Sequence, residues 1–175
     1  MKKTLFSLVL MLMAALSCSA QSETASADSV QTQAPQGRLV YCSYSCNRPA
    51  GGGKDYCELI ADPGVTPTVV VCLNSNSRLY DTEERRFAVA DSVVAEAQLM
   101  LAELEVWNLN GYVHKENIPG APTYRIYQEY ESGEKFNAVW SGHDIKPEAE
   151  RAYIATARFF SRWRNQVEQS GPSDN

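Results

Sequence analysis

The sequence predicts an α+β fold, a two-layer domain in which an antiparallel sheet of about five strands carries two helices on one face. Three strand-like segments come first, between residues 39 and 73. A segment with apolar residues at three- and four-residue steps follows, and two more strands and a second helix complete the chain. Because short connections favour antiparallel neighbours, the predicted order β-β-β-α-β-β-α gives one sheet covered by both helices.

The N-terminus has the features of an export signal. A positive Lys2-Lys3 pair precedes an apolar stretch from Leu5 to Leu16 that is too short to span a bilayer. The segment Ala15-Leu16-Ser17-Cys18 is similar to the lipobox of bacterial lipoproteins, which makes residues 1–18 the signal and Cys18 the candidate lipid-attachment residue. The alternative is ordinary cleavage after Ala20, which makes residues 1–20 the signal and leaves a soluble product.

Either cleavage predicts an exported protein, as an outer-membrane or cell-envelope lipoprotein or as a soluble periplasmic or secreted protein. Residues 19–37 are mostly small and polar, and Val30 is their only sizeable apolar residue. Such a stretch cannot bury enough surface to offset its ordering entropy, so it is predicted to be a disordered tether. Residues 38–169 are predicted to form a single α+β domain, and residues 170–175 a disordered tail.

Three strands are predicted before the first helix. Residues 39–46 alternate and are rich in β-favouring residues, and residues 56–60 form the second strand after a Gly-rich break at residues 49–53. The turn signal Asp62-Pro63-Gly64 separates the second strand from the third, at residues 68–73. Because the third strand is continuously apolar, we expect it to be buried on both faces.

Four cysteines remain after the signal is removed, and an oxidising compartment makes all four candidates for disulfides: Cys42, Cys46, Cys57 and Cys72. A hairpin centred between Gly51 and Gly52 places Cys46 opposite Cys57, within disulfide reach. A hairpin centred between Gly64 and Val65 places Cys57 opposite Cys72, which leaves Cys42 with Cys46. If the first strand lies between the other two, Cys42 can instead pair with Cys72. These pairings and free thiols all stay open at this point.

At the start of the second half of the chain, the spacing of the apolar residues changes from that of a strand to that of a helix. Apolar residues from residue 84 to residue 107 predict an amphipathic helix of about six turns. Residues 108–122 contain Asn-Gly and Pro-Gly turn signals and are predicted to form a long loop. Residues 123–130 and 135–140 then alternate on either side of a Ser-Gly turn, which predicts a second hairpin.

The last predicted helix begins at Pro147, because proline suits the first helical position. Gly171-Pro172 ends it. Between them runs an apolar stripe in which we expect Phe160 and Trp163 to pack against the sheet: Ala149, Ala152, Tyr153, Thr156, Phe160, Trp163 and Val167.

Several turns, in this element order, resemble those of a known group. They are the Gly-rich turn at Gly51–Gly53, the Gly111-Tyr112 pair and the Glu131-Ser132-Gly133 turn before Trp140. Together they look like families of small, uncharacterised exported bacterial α+β proteins. The resemblance covers residues 38–168 and implies the fold and the export, and it carries no catalytic residues.

Charge and hydropathy exclude two classes of protein. Without Lys2 and Lys3 the chain has 14 basic against 21 acidic residues, a net charge of −7. No basic patch is visible, which argues against a nucleic-acid partner. No apolar run reaches the ~18 residues of a spanning helix, which excludes a polytopic membrane protein. Contact with a membrane is therefore predicted only through the lipid anchor.

The candidate binding surface consists of aromatic residues and one arginine: Tyr112, Tyr124, Arg125, Tyr127 and Tyr130. Along an alternating strand, Tyr124 and Tyr130 share one face with Ile126 and Gln128, and Arg125 and Tyr127 share the other. Exposed tyrosine beside arginine is typical of binding surfaces. The alternative interpretation is ordinary core filling on one face and half-buried tyrosines on the other.

The two histidines suggest a metal site only if their loops converge. His114 with Glu116 and His143 with Asp144 would offer two nitrogens and two carboxylates, which suit zinc. Nothing fixes their spacing as a helical His-x3-His motif does, so no metal site and no cofactor is predicted. No Gly-x-Ser-x-Gly turn, Cys-x-x-Cys pair or carboxylate motif identifies catalytic residues either.

These observations predict a non-enzymatic binding or interaction module in the cell envelope or outside the cell, whose partner is an unidentified protein or small ligand. One alternative is a small periplasmic or secreted hydrolase with its site near the 108–122 loop. The other is a secreted protease inhibitor that inserts its Gly-rich or Pro-Gly loop.

Overall fold

A seven-stranded mixed sheet and two α-helices make up the part of the chain that the structure describes. The structure is a computed structural model and describes residues 33–49, 53–74 and 82–170, all within one compact unit. A short 3₁₀ helix, Val106–Leu109, follows the first α-helix. The other elements are β1 (Leu39–Arg48), β2 (Gly53–Ile60), β3 (Thr68–Asn74), β4 (Thr82–Ala88), α1 (Asp91–Glu103), β5 (Val113–Lys115), β6 (Thr123–Tyr130), β7 (Lys135–Ser141) and α2 (Pro147–Ser170).

The first strand lies in the middle of the sheet. The strand order is β4-β3-β2-β1-β6-β7-β5, so β1 has β2 on one side and β6 on the other, both antiparallel. A register shift between Leu39 and Tyr41 interrupts the pairing of β1 with β6. The short strand β5 runs parallel to β7, which makes the sheet mixed, and β4 and β5 are its edges within the described residues.

One face of the sheet and both helices share a single hydrophobic core. The sheet contributes alternate residues such as Tyr44 on β1 and Trp140 on β7, and α1 contributes Val94, Ala97 and Leu101. On α2 the predicted apolar stripe is buried at all but one of its positions, Tyr153 being half-buried. The four consecutive β3 residues Val69–Cys72 are all buried, as their continuously apolar sequence predicts.

The α+β fold class and the two helices are confirmed. Among the residues that the structure describes, however, the sheet has seven strands instead of the predicted five, and it is mixed instead of antiparallel. The helix predicted from residue 84 was wrong over its first residues, which form β4 beside β3. Phe87 and Ala90 have the three-residue spacing of a helix, but pairing with β3 places Phe87 in a strand. The helix begins only at Asp91, whose negative charge suits a helix N-terminus.

The segment 108–122 was predicted to be a loop, but it contains part of the 3₁₀ helix and all of β5. β5 has only three residues, and Val113 is exposed, so it lacks the apolar alternation that identifies a strand. Its position depends on pairing with β7, a tertiary contact. The second hairpin and the start of α2 at Pro147 agree with the sequence prediction.

The predicted export signal, Cys18, most of the predicted tether and residues 171–175 of the predicted tail lie outside the described residues. At the end of the predicted tether, the backbone N–H of Gln36 donates to Glu134, and the carbonyl of Gly37 accepts from Gln98 on α1. Among the described helices, none is both long enough and apolar enough to cross a membrane.

Candidate binding surface

The face of the sheet opposite the helices carries a shallow groove centred on β1. We call this side the outer face and define it by the alternate β1 residues Tyr41, Ser43 and Ser45. The groove, which we call the outer-face groove, has a volume of about 450 Å³. Its lining comprises Val40, Tyr41, Ser43, Ser45, Lys54, Tyr56, Glu58, Ile60, Asp62, Arg125, Tyr127 and Glu129.

Small side chains on the central strand form the floor of this groove, and larger ones on the neighbouring strands form its walls. Ser43 lies between Glu58 of β2 and Tyr127 of β6. Ser45 lies in the same way between Tyr56 and Arg125. Since adjacent strands are ~4.8 Å apart, the two walls stand about 10 Å from each other. A space of that width accommodates one extended chain.

Each wall holds a cation against an aromatic ring. Lys54 Nζ lies 5.2 Å from the centroid of the Tyr56 ring on β2. Arg125 Cζ lies 5.1 Å from the centroid of the Tyr127 ring on β6, and Arg125 Nε donates a hydrogen bond of 2.7 Å to Asn137 Oδ1. Both distances are within the ~6 Å range of a cation–π interaction. The two cations are thus held in place along the walls.

Hydrogen bonds to carboxylates fix the tyrosine rings of the outer face. Tyr56 donates to Glu84 over 2.8 Å, and Tyr127 donates to Glu129, which also pairs with Lys135 at 3.1 Å. The bond to Glu129 is the main cause that raises the pKa of Tyr127. Burial, and then a hydrogen bond to Glu58, raise the pKa of Tyr41. The rings are therefore neutral and held in one orientation.

The predicted surface residues separate between the two faces of the sheet. Arg125 and Tyr127 lie on the outer face and line the groove. Tyr124 is half-buried on the helix side, 4.8 Å from the ring of Tyr153, and Tyr130 is buried there beside Phe136. Tyr112 lies away from the groove, between Trp140 and Lys146. The core-filling interpretation therefore applies to Tyr124 and Tyr130, and the outer-face groove retains two of the five predicted residues.

Ten of the twelve groove residues were missed in the sequence, among them the larger polar and aromatic ones Tyr41, Lys54, Tyr56 and Glu58. Tyr41 and Tyr56 alternate with buried residues on their strands, so alternation alone places them opposite the core. What the sequence does not indicate is that β1 pairs with β6, which brings the tyrosines of the two hairpins together.

The histidines and acids considered for a metal site meet around a single carboxylate, that of Glu116. Its Oε1 accepts from the backbone N–H of Asp144 at 2.6 Å and of His143 at 3.0 Å, and lies 3.2 Å from His114 Nε2. His143 and Asp144 contribute backbone, not side chains. Within the described residues no group of three or more His, Cys, Asp and Glu is placed to hold a metal ion.

Gly142 leaves the room that this carboxylate needs. Its φ is +100°, a conformation that favours glycine, and a Cβ at this position would lie 2.3 Å from Glu116 Cδ. The carboxylate therefore joins the end of β5 to the turn after β7. The hydrolase alternative placed its site near the 108–122 segment. In that segment the Glu116 carboxylate accepts hydrogen bonds from backbone N–H groups.

We expect Glu116 to make stability depend on pH below about 4.5. The backbone N–H of Asp144, the His114 ring and the N–H of His143 lower its pKa from 4.5 to about 2. A folded-state pKa below the unfolded value gives stability that is present above pH 4.5 and is lost as the pH falls toward 2. Glu116→Gln should flatten the pH dependence of the unfolding free energy in this window, as measured by urea titrations.

The matched control for Glu116 is Glu103→Gln, which removes an exposed carboxylate from α1. This variant should keep the slope of the natural protein. An unchanged slope in Glu116→Gln would contradict the role given to the Glu116 carboxylate.

The four domain cysteines are free thiols in the structure, and all four are buried. Both predicted hairpin registers are wrong: Cys46 pairs with Asp55, and Cys57 pairs with Tyr44 and Val71. Cys72 pairs with Tyr56 on the outer face, whereas Cys57 faces the helices. The sheet itself therefore separates Cys57 from Cys72, and neither predicted pairing places its sulfurs directly opposite each other.

We expect these thiols to react only after unfolding. Burial raises the pKa of Cys42 to about 12 and that of Cys57 to about 11, so almost no thiolate exists at pH 8. Counting thiols with a chromogenic disulfide reagent, without a reductant, should give few in the native domain and all four in guanidinium. Recovering two or fewer after unfolding would instead demonstrate disulfides.

A buried carboxylate joins the first hairpin to the last helix. Asp55 on β2 is almost fully buried, and its Oδ2 lies 2.8 Å from Arg48 Nη2 and 3.6 Å from Arg164 Nη2 on α2. Arg164 Nε also donates to Glu168, one turn further along the same helix. This cluster lies on the helix side of the sheet, and it closes the end of the core near the β1–β2 turn.

Comparison with known proteins gives no further assignment. No protein-family model and no curated protein matches this chain. The candidate function therefore depends on the geometry of the outer-face groove.

Proposed function

We propose that this protein is a binding module that holds its ligand in the outer-face groove. The observation that supports this is the set of tyrosines and cations on a sheet face that lies opposite both helices. Tyrosine and arginine are enriched where proteins bind partners, because they offer a large contact area with polar tips at low entropic cost. The proposal covers a protein or a small ligand as partner.

The side chains of the groove are already held in place, which favours a role in binding. Arg125 is held by Asn137 and Tyr127, and Tyr56 is held by Glu84. Side chains that are already fixed lose little entropy when a ligand arrives, which lowers the cost of association.

The test is an NMR titration of the isotope-labelled domain with an extract of the source organism. Shift changes should concentrate on β1, β2 and β6. Filling the groove floor with Ser45→Trp should abolish them, whereas Ser92→Trp, at an exposed position on α1, should leave them unchanged. Shifts that map to the 108–122 segment or elsewhere, or no shifts at all, would contradict the proposal.

We also propose that the protein is exported and that Cys18 carries a lipid. The support is the sequence alone: the Lys2-Lys3 pair, the apolar stretch and the lipobox-like segment. The natural protein should partition into detergent, and Cys18→Ser should lose this behaviour. A soluble protein that begins at Gln21 would instead establish ordinary cleavage after Ala20.

A further inference from the structure

Within the described part of the chain, two cations of the outer-face groove have no carboxylate partner. Among the described residues, neither Lys54 nor Arg125 forms an ion pair, although the protein carries a net charge of −5. By contrast, Arg86 and Lys135 on the same face pair with Glu84 at 2.9 Å and with Glu129 at 3.1 Å. Lys54 and Arg125 belong to opposite walls, on either side of Ser45 and Asn47. This part of the groove, which we call its cationic end, is suited to an anionic group.

The groove also has an acidic end. Glu58 is half-buried, accepts a hydrogen bond from Tyr41, and forms no ion pair within the described part of the chain. Asp62 is exposed at the rim beyond Ile60. Along a strand, two residues span about 7 Å, so Glu58 lies about 7 Å along the groove from the position of Ser45 and Arg125. Opposite charges therefore lie at a defined separation over the Ser43 and Ser45 floor.

We propose that the ligand of this groove is a short zwitterionic peptide in an extended conformation; this inference rests on the proposed function of the groove. Its C-terminal carboxylate lies between Lys54 and Arg125, and its N-terminal ammonium lies near Glu58. Its side chains contact the rings of the two walls. Arginine is suited to carboxylates because its planar guanidinium presents paired donors.

The charge separation sets the length of the peptide. An extended chain spans ~3.3–3.6 Å per residue, so the 7–14 Å between the two ends of the groove corresponds to about two to four residues. A simple carboxylate would engage only the cationic end. A free amino acid, with its charges much closer together, cannot reach both ends.

The experiment titrates the labelled domain with trialanine, N-acetyl-trialanine and trialanine amide, and follows backbone shifts by NMR. Trialanine should shift β1, β2 and β6. Removing either terminal charge should weaken binding about tenfold, equivalent to ~1.4 kcal/mol. Equal affinity for trialanine and either capped form, or no shifts on the outer face, would overturn the proposal.

Variants test the cationic end and the acidic end of the groove separately. Arg125→Gln should abolish the preference for trialanine over its amide, and Glu58→Gln should abolish the preference over the acetylated peptide. Arg158→Gln, which neutralises an exposed arginine on α2, should leave both preferences unchanged. A preference that survives in both groove variants would overturn the assigned orientation.

A failure of the peptide proposal can be distinguished from a failure of the proposed binding function. If the extract shifts the outer face and trialanine does not, the ligand class is wrong and the binding surface stands. If neither shifts the outer face, both proposals are contradicted.

Discussion

Replacing Phe160 by alanine is expected to lower the free energy of unfolding by about 3–5 kcal/mol. The Phe160 side chain is fully buried at the centre of the interface between α2 and the sheet. Its ring centroid lies 5.6 Å from that of Tyr44, 4.9 Å from that of Phe159 and 6.3 Å from that of Trp163. Truncation leaves a cavity among rigid aromatic rings, which cannot collapse to fill it.

The measurement is the urea unfolding midpoint followed by circular dichroism. Ile154→Ala is the matched control, because it truncates a side chain of the same helix that is 48% exposed; its effect should stay within about 1 kcal/mol. Because domain stabilities are about 5–15 kcal/mol, a second variant, Phe160→Leu, provides a smaller loss that leaves enough folded protein to measure. An unchanged midpoint in both Phe160 variants would contradict the packing of α2 on the sheet.

The second large effect is expected at Asp55. Asp55→Ala should destabilise the domain by about 2–4 kcal/mol, because it leaves the Arg48 and Arg164 guanidinium groups without their shared carboxylate. The loss stays below that of a fully buried pair, since the Arg48 side chain is 43% exposed and can regain water.

A surface ion pair provides the comparison for Asp55. Asp91→Ala breaks the contact with Arg38, in which the aspartate side chain is 76% exposed, and should cost at most about 1 kcal/mol. Thermal and urea unfolding of both variants would measure the difference. If Asp55→Ala costs no more than Asp91→Ala, the cluster around Asp55 contributes little to joining the hairpin to α2.

The last helix was predictable because one periodic signal covers its whole length. From Ala149 to Val167 the apolar spacing is helical, and Pro147 indicates where it starts. β4 was not predictable in the same way. Arg85 and Phe87 alternate in burial with their neighbours, yet Phe87 also continues the helical spacing of apolar residues in α1. Where two periods fit, the contact with β3 decides, and this contact is not local in the sequence.

The candidate site was predictable strand by strand but not as a whole. Alternation alone places Arg125 and Tyr127 opposite Tyr124 and Tyr130, and the structure has them on those opposite faces. The groove additionally needs β1 beside β6, and no residue of either strand signals that neighbour. The cysteine register shows how sensitive such assignments are, because a slip of one residue moves a side chain to the other face of the sheet.

The central position of β1 determines when the groove can exist. Tyr44 pairs with Ile126, 82 positions later in the chain, so the floor of the groove gains its second wall only after most of the domain has been synthesised. Closing so long a loop is entropically costly, and folds with many such contacts form slowly. Until β6 arrives, one edge of β1 is open to pairing with other chains. A fragment that ends before Thr123 therefore carries the serine floor and the β2 wall, but no binding groove.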